Sequence, residues 1–274
     1  MTADTAPDGE SLALTLVGLA TGLARDAGRL ALELATEARR SPGTKSSDTD
    51  LVTEADRRAE RLIVDGILAA RPHDAIEGEE GTSRLGTSGV TWHVDPIDGT
   101  TNYVYGIPAF SVSVAAEIDR RMVAGVVFDP SRNRLYRAAI GDGAWCDDRP
   151  LRLGSGPELD RALVATGFGY RAERRRHQGR VVAEVLPQVR DIRRFGSAAL
   201  DLCAVASGEV DAYYERGLHR WDLAAGALVA AEAGAVVQNL DGGDADEGFA
   251  LAAPPGLFAS LRELLIELGA GEGA

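Results

Sequence analysis

The first element that the sequence predicts is a long helix. Apolar residues recur there with the period of about 3.6 residues that is typical of an amphipathic helix. The positions that carry this pattern are Leu16, Leu19, Leu23, Leu30 and Leu34. We expect a helix from Ser11 to about Arg39 that packs on a core, preceded by a polar, disordered segment over residues 1–10. The polar run 41–48 is expected to end the helix as a loop.

A second helix is predicted to begin at Thr53. Thr53 and Asp56 have the spacing of a capping box, and an apolar face that includes Ile63 and Ile67 follows. The spacing alone leaves two roles open for Asp56. It could cap the helix, or it could be the partner of a catalytic hydroxyl group.

Short β-strands follow the two helices. The first of them, within 75–81, runs into a glycine-flanked acidic turn, and alternating or continuous apolar residues predict the others. These further strands are expected at 90–95, 110–116, 121–128, 135–139 and 144–146. Two helices followed by antiparallel strands predict an α+β first half, residues 11–150, which would carry most of the acidic candidate residues.

Strands and helices alternate in the second half, residues 151–274, and predict a layered α/β arrangement. Strands are expected at 162–166, 191–195, 211–214, 235–238 and 249–252. Helices are expected at 171–189, 196–206, 221–234 and 257–268. Turn residues cluster at 147–160, so the boundary between the two halves is placed there.

Composition and charge narrow the function. The 274 residues are 45% hydrophobic and 26% charged, as in ordinary globular proteins, and the formal net charge is −13. This charge disfavours nucleic acid or an anionic membrane as a partner. No signal peptide is evident, and the apolar run 12–24 is too short to cross a bilayer, so a cytoplasmic location is expected. Cys146 and Cys203 suit small buried residues better than a disulfide or zinc site.

The stretch 92–102 carries the most specific chemistry. It begins as a strand, is interrupted by a proline, and places Asp95 and Asp98 three residues apart before a glycine and two threonines. Such a sequence starts helices, and free backbone N–H groups at a helix start attract anions. Those donors would come from Gly99, Thr100 and Thr101. Since carboxylate oxygens suit Mg²⁺, this turn offers an anion cradle beside half of a metal site.

Four acidic residues lie at strand ends or helix starts: Glu79, Asp95, Asp98 and Asp222. Taken singly, Glu79 would be a solvated loop residue and Asp222 a stabiliser of a helix dipole. If all four converge, each pair of like charges about 4 Å apart costs roughly 4 kcal/mol at an effective dielectric near 20. Raised pKa values or bound cations would then be needed, and a divalent metal ion is the simplest solution.

Several segments, in order and separation, resemble the signatures of the inositol monophosphatases, a family of lithium-sensitive, Mg²⁺-dependent phosphatases. The segments are 45–56, 78–80, 95–102, 196–202, 211–215 and 221–226. The resemblance extends over residues 12 to 268. It implies a layered αβαβα fold, a homodimer, and a small phosphorylated polyol as the substrate.

The resemblance also implies a role for each matching residue. Glu79, Asp95 and the carbonyl of Ile97 would hold one Mg²⁺; Asp95, Asp98 and Asp222 would hold a second; and Glu79 would help to hold a weaker third. Asp56 and Thr100 would activate the attacking water, with Glu79 counted among the catalytic residues. Gly99 and Thr100 would bind phosphate oxygens. The remaining substrate contacts would come from Asp98, Ser197, Ala198, Glu215 and Asp222.

The leading hypothesis is a Mg²⁺-dependent monophosphatase that hydrolyses myo-inositol 1-phosphate and is inhibited by Li⁺. Glu215 favours a polyol, because a carboxylate accepts hydrogen bonds from neighbouring hydroxyl groups. The same chemistry could serve histidinol phosphate, a sugar bisphosphate such as fructose 1,6-bisphosphate, or a 3′-phosphoadenosine nucleotide. An added binding role with the transcription machinery, as in some bacterial relatives, is the alternative from another functional class.

Two further features are left open by the sequence. The arginine clusters 174–176 and 193–194 are interpreted as solvated faces or interface positions, although they could guide an anionic substrate. His219 is interpreted as a local structural residue, because it has no partner at metal-ligand spacing.

Overall fold

In a computed structural model that describes residues 9–38, 43–44 and 51–272, two β-sheets enclose a pair of helices. The helices in the described residues are α1 (Gly9–Ala38), α2 (Glu54–Ala70), α3 (Thr100–Tyr105), α4 (Ala172–Val185), α5 (Ala198–Ser207), α6 (Arg220–Glu232) and α7 (Pro255–Glu267). Single 3₁₀ turns lie at Leu159–Arg161 and Leu186–Gln188.

Fifteen strands occur in the same residues. In the first half these are β1 (Gly43–Thr44), β2 (Leu51–Val52), β3 (Ala75–Gly78), β4 (Ser83–Arg84), β5 (Val90–Asp98), β6 (Ser111–Ile118), β7 (Arg121–Asp129), β8 (Arg134–Ala139), β9 (Gly143–Cys146) and β10 (Arg149–Leu151). In the second half they are β11 (Leu163–Thr166), β12 (Asp191–Arg193), β13 (Ala212–Glu215), β14 (Val236–Gln238) and β15 (Ala250–Ala253).

The elements stack in five layers. Helices α1 and α2 cover the outer face of an eight-stranded sheet with the order β10-β9-β8-β7-β6-β5-β3-β4. Helices α5 and α6 lie between this sheet and a five-stranded sheet with the order β12-β11-β13-β15-β14. Helices α4 and α7 cover the far side of the second sheet. The layered αβαβα fold is therefore as expected, while the division of the chain near residues 147–160 stays a prediction.

The buried face of α1 is made mainly of alanine. Leu16 is fully buried, but the other leucines that define the helical pattern are only partly buried. The fully buried alanines on this helix are Ala13, Ala20, Ala24, Ala27 and Ala31. Small side chains allow the helix to pack closely on the sheet. The helix begins at Gly9, so the predicted disorder is wrong for residues 9 and 10, while residues 1–8 lie outside the described residues.

Three predictions about strands and helices need correction. The strand predicted to break before Pro96 continues to Asp98. A bulge between Asp95 and Asp98 accommodates Pro96, which has no N–H group to donate to the neighbouring strand. The first sheet is mixed, since β3 is parallel to β5. The helix predicted over 171–189 ends at Val185 and continues as a 3₁₀ turn.

Three other predictions concern the loop at 41–48, a membrane span and the two cysteines. The loop expected at 41–48 lies mostly outside the described residues, apart from β1. None of the helices in the described ranges has the length and hydropathy that crossing a bilayer requires. Cys146 and Cys203 are free thiols in buried positions, as expected.

Candidate active site

A cavity of about 560 Å³ opens where the end of β5 meets the N-terminal ends of α3, α5 and α6. Nine of the residues that the sequence singled out line it. They are Glu79, Asp95, Ile97, Asp98, Gly99, Thr100, Ala198, Glu215 and Asp222. Side chains that are far apart in the sequence thus share one concave surface between the two sheets.

Helix α2 supplies the partner of the threonine in this cavity. Asp56 forms a capping box with Thr53, whose amide donates to Asp56 Oδ2 at 2.8 Å. The other oxygen, Oδ1, lies 3.1 Å from Thr100 Oγ1 and accepts from it. The two roles that the sequence left open for Asp56 are therefore both present, one at each oxygen. Asp56 is fully buried, and the bond from Thr100 to its Oδ1 links it to the cavity.

The turn after β5 directs Asp95 and Asp98 to the cavity. The Ile97 amide donates to Asp95 Oδ1 at 3.0 Å, which closes a tight turn over Pro96. Gly99 follows with φ of 95° and forms the N-cap of α3. A Cβ atom there would lie 3.0 Å from the carbonyl oxygens of Ala109 and Gly196, so this position requires glycine.

The N-terminus of α5 holds Asp98. Ser197 Oγ donates to Asp98 Oδ2 at 2.6 Å, and the Ala199 amide donates to the same oxygen at 2.8 Å. Ser197 is buried and does not line the cavity. Its side chain holds Asp98 in position and does not face the open part of the cavity. Ser197 was expected to contact the hydroxyl groups of the substrate. Its neighbour Ala198 lines the cavity and is better placed for such contacts.

The N-terminus of α6 holds Asp222. The amide of His219, the N-cap residue, donates to Asp222 Oδ2 at 2.7 Å. The side chain of Arg220 anchors this end of the helix to β6 through Glu117, with Arg220 Nη2 2.6 Å from Glu117 Oε2. His219 is thus structural, as expected, although it also lines the cavity rim.

The carboxylates affect each other's protonation. Burial raises the pKa of Asp95 well above its usual value, and the charges of Glu79, Asp98 and Asp222 raise it further. Burial likewise raises the pKa of Asp222, with Glu79 and Asp98 adding to the effect. Burial raises the pKa of Asp98 to about 6, against the opposing hydrogen bonds from Ser197 and Ala199. The four acids therefore form one electrostatic unit, as convergence requires.

The donor set suits a hard divalent cation. Among the described residues, no three His, Cys, Asp or Glu side chains lie in the close arrangement of a preformed metal cage. The four acids instead share the cavity wall, and Asp95 and Glu79 are hydrogen-bonded to each other. Carboxylate oxygens gathered in a concave site are the ligands that Mg²⁺ uses, so the four acids fit this ion without a preformed cage.

Glu215 forms the opposite wall, at the end of β13. The Tyr213 hydroxyl donates to Glu215 Oε2 at 2.7 Å. Burial raises the pKa of Glu215 to about 7, while the bond from Tyr213 and the charge of Arg194 oppose the rise. Asp201 of α5 also faces Glu215, and burial raises its pKa well above the usual value.

The sequence did not assign several residues of this site. Arg171, Arg174 and Arg194 all line the cavity. Arg174 and Arg194 each belong to one of the two arginine clusters, and their positions agree with the interpretation that these clusters guide an anionic substrate. The aromatic residues at the rim, Phe168, Tyr170 and Trp221, were not singled out either. No local spacing marks these aromatic residues. Phe168 and Tyr170 lie between β11 and α4, and Trp221 is in the first turn of α6, so their place at the cavity depends on how these elements pack.

Comparison with known proteins identifies the family. The sequence matches the inositol monophosphatase family over residues 14–270. A relative from Mycobacterium leprae (strain TN) named inositol-1-monophosphatase is 48% identical over 232 residues, covering 81% of this chain and 80% of the relative. A relative from Pasteurella multocida (strain Pm70) named Nus factor SuhB is 41% identical over 216 residues, covering 77% of this chain and 81% of the relative.

A solved structure agrees over an even larger part of the chain. Mycobacterium tuberculosis SuhB superposes with a TM-score of 0.81 at 43% identity, covering 94% of this chain and 98% of that one. The family match, the fold and the named relatives all indicate the same family. The chain therefore belongs to the inositol monophosphatase family and is a phosphoric monoester hydrolase.

Proposed function

We propose that the protein is a Mg²⁺-dependent monophosphatase that hydrolyses myo-inositol 1-phosphate to inositol and phosphate. The observation that carries this proposal is the convergence of four acids, Glu79, Asp95, Asp98 and Asp222, on one cavity beside the hydrogen-bonded pair of Thr100 and Asp56. The name of the Mycobacterium leprae relative, inositol-1-monophosphatase, supports the choice of substrate.

The residues proposed to hold Mg²⁺ are Glu79, Asp95, the carbonyl of Ile97, Asp98 and Asp222, with two to three ions per subunit. Ser197 Oγ and the Ala199 amide donate to Oδ2 of Asp98, and the His219 amide donates to Oδ2 of Asp222. The other carboxylate oxygen of each acid is the proposed metal ligand. When bound, Mg²⁺ would supply positive charge for the phosphate oxygens and lower the pKa of water in the site.

Thr100 and Asp56 are proposed to orient the attacking water and accept its proton. The Thr100 hydroxyl has one proton, and its possible acceptors are Asp56 Oδ1 at 3.1 Å and Ile97 O at 3.0 Å. Donation to Asp56 leaves the lone pairs of Thr100 Oγ1 free to accept from a water in the cavity. Such general-base assistance contributes about 10²–10⁴-fold to a rate.

The remaining residues are proposed to bind the ester itself. The amides of Gly99 and Thr100 would donate to phosphate oxygens at the start of α3, where backbone donors are free. Ala198 and Glu215 would contact the hydroxyl groups of the polyol. Arg171 and Arg174 at the cavity rim would offset the negative charge that the acids present to an approaching phosphate.

A panel of phosphate esters tests this proposal. Phosphate release would be measured from myo-inositol 1-phosphate, histidinol phosphate, fructose 1,6-bisphosphate and a 3′-phosphoadenosine nucleotide, each with and without Mg²⁺. We expect release to require Mg²⁺ and kcat/KM to be highest for inositol 1-phosphate. A much higher kcat/KM for another ester would change the substrate but keep the chemistry, and full activity in a chelator would refute the metal requirement.

A non-catalytic role is a second candidate, favoured by the name Nus factor SuhB of the Pasteurella multocida relative. A metal-site variant that loses hydrolysis but still binds transcription proteins would support it. Inhibition by Li⁺, assembly as a homodimer and a cytoplasmic location also remain predictions.

The role proposed for Glu215 gives a pH prediction. Its pKa of about 7 means that it is largely protonated below pH 7 and ionised above it. Since the ionised form accepts hydrogen bonds from the polyol, KM for inositol 1-phosphate should fall as pH rises through about 7. At low pH the protonated Glu215 loses its charged hydrogen bonds with the polyol. This loss should raise KM about tenfold.

The control is Glu215→Gln, which should have a high KM and lack the part of the pH dependence that Glu215 contributes. Because the phosphate of the substrate titrates near the same pH in both proteins, only the difference between them reports on Glu215. The charged and hydrogen-bonding groups that act on Glu215 or are acted on by it are Asp98, Arg194, Asp201, Tyr213 and Asp222. The same inflection in both proteins would contradict the proposed role.

A further inference from the structure

Helix α2 carries a second buried carboxylate, one turn after Asp56. Glu60 is only 3% exposed, and three donors from one turn converge on it. Its Oε2 accepts from the Glu80 amide at 2.7 Å. Its Oε1 accepts from the Thr82 hydroxyl at 2.6 Å and from the Thr82 amide at 3.2 Å. The amide and hydroxyl donors of this turn compensate its charge.

The turn that Glu60 holds is the one that carries Glu79. On its other side this turn is fixed to the sheet, because the Glu79 amide donates to Val94 O at 3.1 Å and the Gly78 amide donates to Thr82 O at 2.7 Å. Glu60 packs directly against the backbone at Gly78, where a Cβ atom would lie 2.5 Å from Glu60 Oε2. The backbone on either side of Glu79 is therefore set by the sheet and by the Glu60 carboxylate.

We propose that Glu60 is a positioning residue that fixes the turn of Glu79 and thereby sets the affinity of the site for divalent metal. Residues 56 and 60 lie on the same face of α2, four positions apart. Asp56 accepts from the Thr100 hydroxyl, and Glu60 accepts from the turn that carries Glu79, so one helix face supports both the hydroxyl and the turn of a proposed metal ligand. This inference depends on the proposed function, because it takes Glu79 as a metal ligand.

The substitution Glu60→Gln tests the inference. A glutamine keeps one acceptor, but its amide group would face donors, so the turn loses part of its support. We expect the Mg²⁺ concentration for half-maximal activity to rise about 10-fold or more, which is typical of the loss of a group that orients a metal ligand. Binding of Mn²⁺, measured by electron paramagnetic resonance without substrate, should weaken by the same factor. At saturating Mg²⁺, kcat should return to within a few-fold of the unsubstituted enzyme.

Glu54→Gln is the matched control. Glu54 lies on the same helix but is exposed, where it pairs with Arg57 and Arg61. This variant removes the same charge without touching the turn, so its Mn²⁺ affinity should be unchanged. Asp56→Asn should show the reverse of Glu60→Gln, with a lower kcat and unchanged Mn²⁺ binding.

A milder variant keeps the test decisive if Glu60→Gln does not fold. Thr82→Val preserves the volume of the side chain and removes only the hydroxyl donor to Glu60, so we expect Mn²⁺ binding to weaken several-fold. Wild-type Mn²⁺ affinity in the folded variants would overturn the inference. An unsubstituted enzyme that neither binds Mn²⁺ nor needs Mg²⁺ would instead overturn the proposed function.

Discussion

Asp95→Asn is expected to abolish turnover while leaving the fold intact. Asp95 is 1% exposed, and burial together with the charges of Glu79, Asp98 and Asp222 raises its pKa. It is also the acid proposed to be shared by two metal ions. A metal contact of this kind is worth several kcal/mol, and about 4 kcal/mol corresponds to a loss of about 10³-fold in kcat. Steady-state phosphate release at saturating Mg²⁺ measures this loss.

Thermal unfolding separates this effect from misfolding. Asparagine keeps the acceptor for the Ile97 amide, so the turn over Pro96 should persist. Removal of one buried charge from the group of acids should leave the melting temperature unchanged or higher in the presence of a chelator. Asp65→Asn, at an exposed position of α2, makes the same change in charge and should be fully active. A kcat for Asp95→Asn within tenfold of the unsubstituted enzyme would refute the assignment.

Thr100→Ala is expected to lower kcat by about 10²–10⁴-fold, the usual contribution of a general base that acts on water. The variant removes the hydroxyl that joins Asp56 to the cavity but removes no acid, so Mg²⁺ affinity should be almost unchanged. Single-turnover rates at saturating Mg²⁺, together with a Mn²⁺ titration, measure the two quantities separately.

Two comparisons show whether the hydroxyl and the carboxylate act together. Thr100→Ser keeps the hydroxyl and should retain kcat within about tenfold. The double variant Asp56→Asn/Thr100→Ala should be no slower than either single variant, since groups that act as one unit are non-additive. A Thr100→Ala variant that loses metal affinity at unchanged kcat would disprove the water-orienting role.

The spacing of residues along the chain was enough to predict the helix starts and the turn that carry several acids of the site. Asp56 and Asp222 both lie in the first turn of a helix, as predicted, and Asp56 forms the capping box that its spacing from Thr53 predicts. The turn of Asp95 and Asp98 was recognisable from its proline, glycine and threonines. The resemblance to a known family then linked these turns, and the match over residues 14–270 confirms it.

Tertiary contacts that leave no periodic signal escaped prediction. Glu60 looks like an ordinary charged residue of an amphipathic helix, yet it is buried because a turn 20 residues later supplies its donors. Ser197 is a helix cap in sequence, but its bond to Asp98 spans 99 residues. Arg174 reaches the cavity only because the loops of the second sheet bring α4 beside it. Each depends on the way the two sheets pack.

Crystals of the active enzyme grown with Mn²⁺ test the central claim most directly, because anomalous scattering locates this ion without ambiguity. The claim is that four distant acids form one site whose charge a divalent cation neutralises. The prediction is anomalous density in the cavity, in contact with Asp95 and with oxygens of Glu79, Asp98 and Asp222. Manganese bound only elsewhere, with this cavity containing solvent alone, would contradict it.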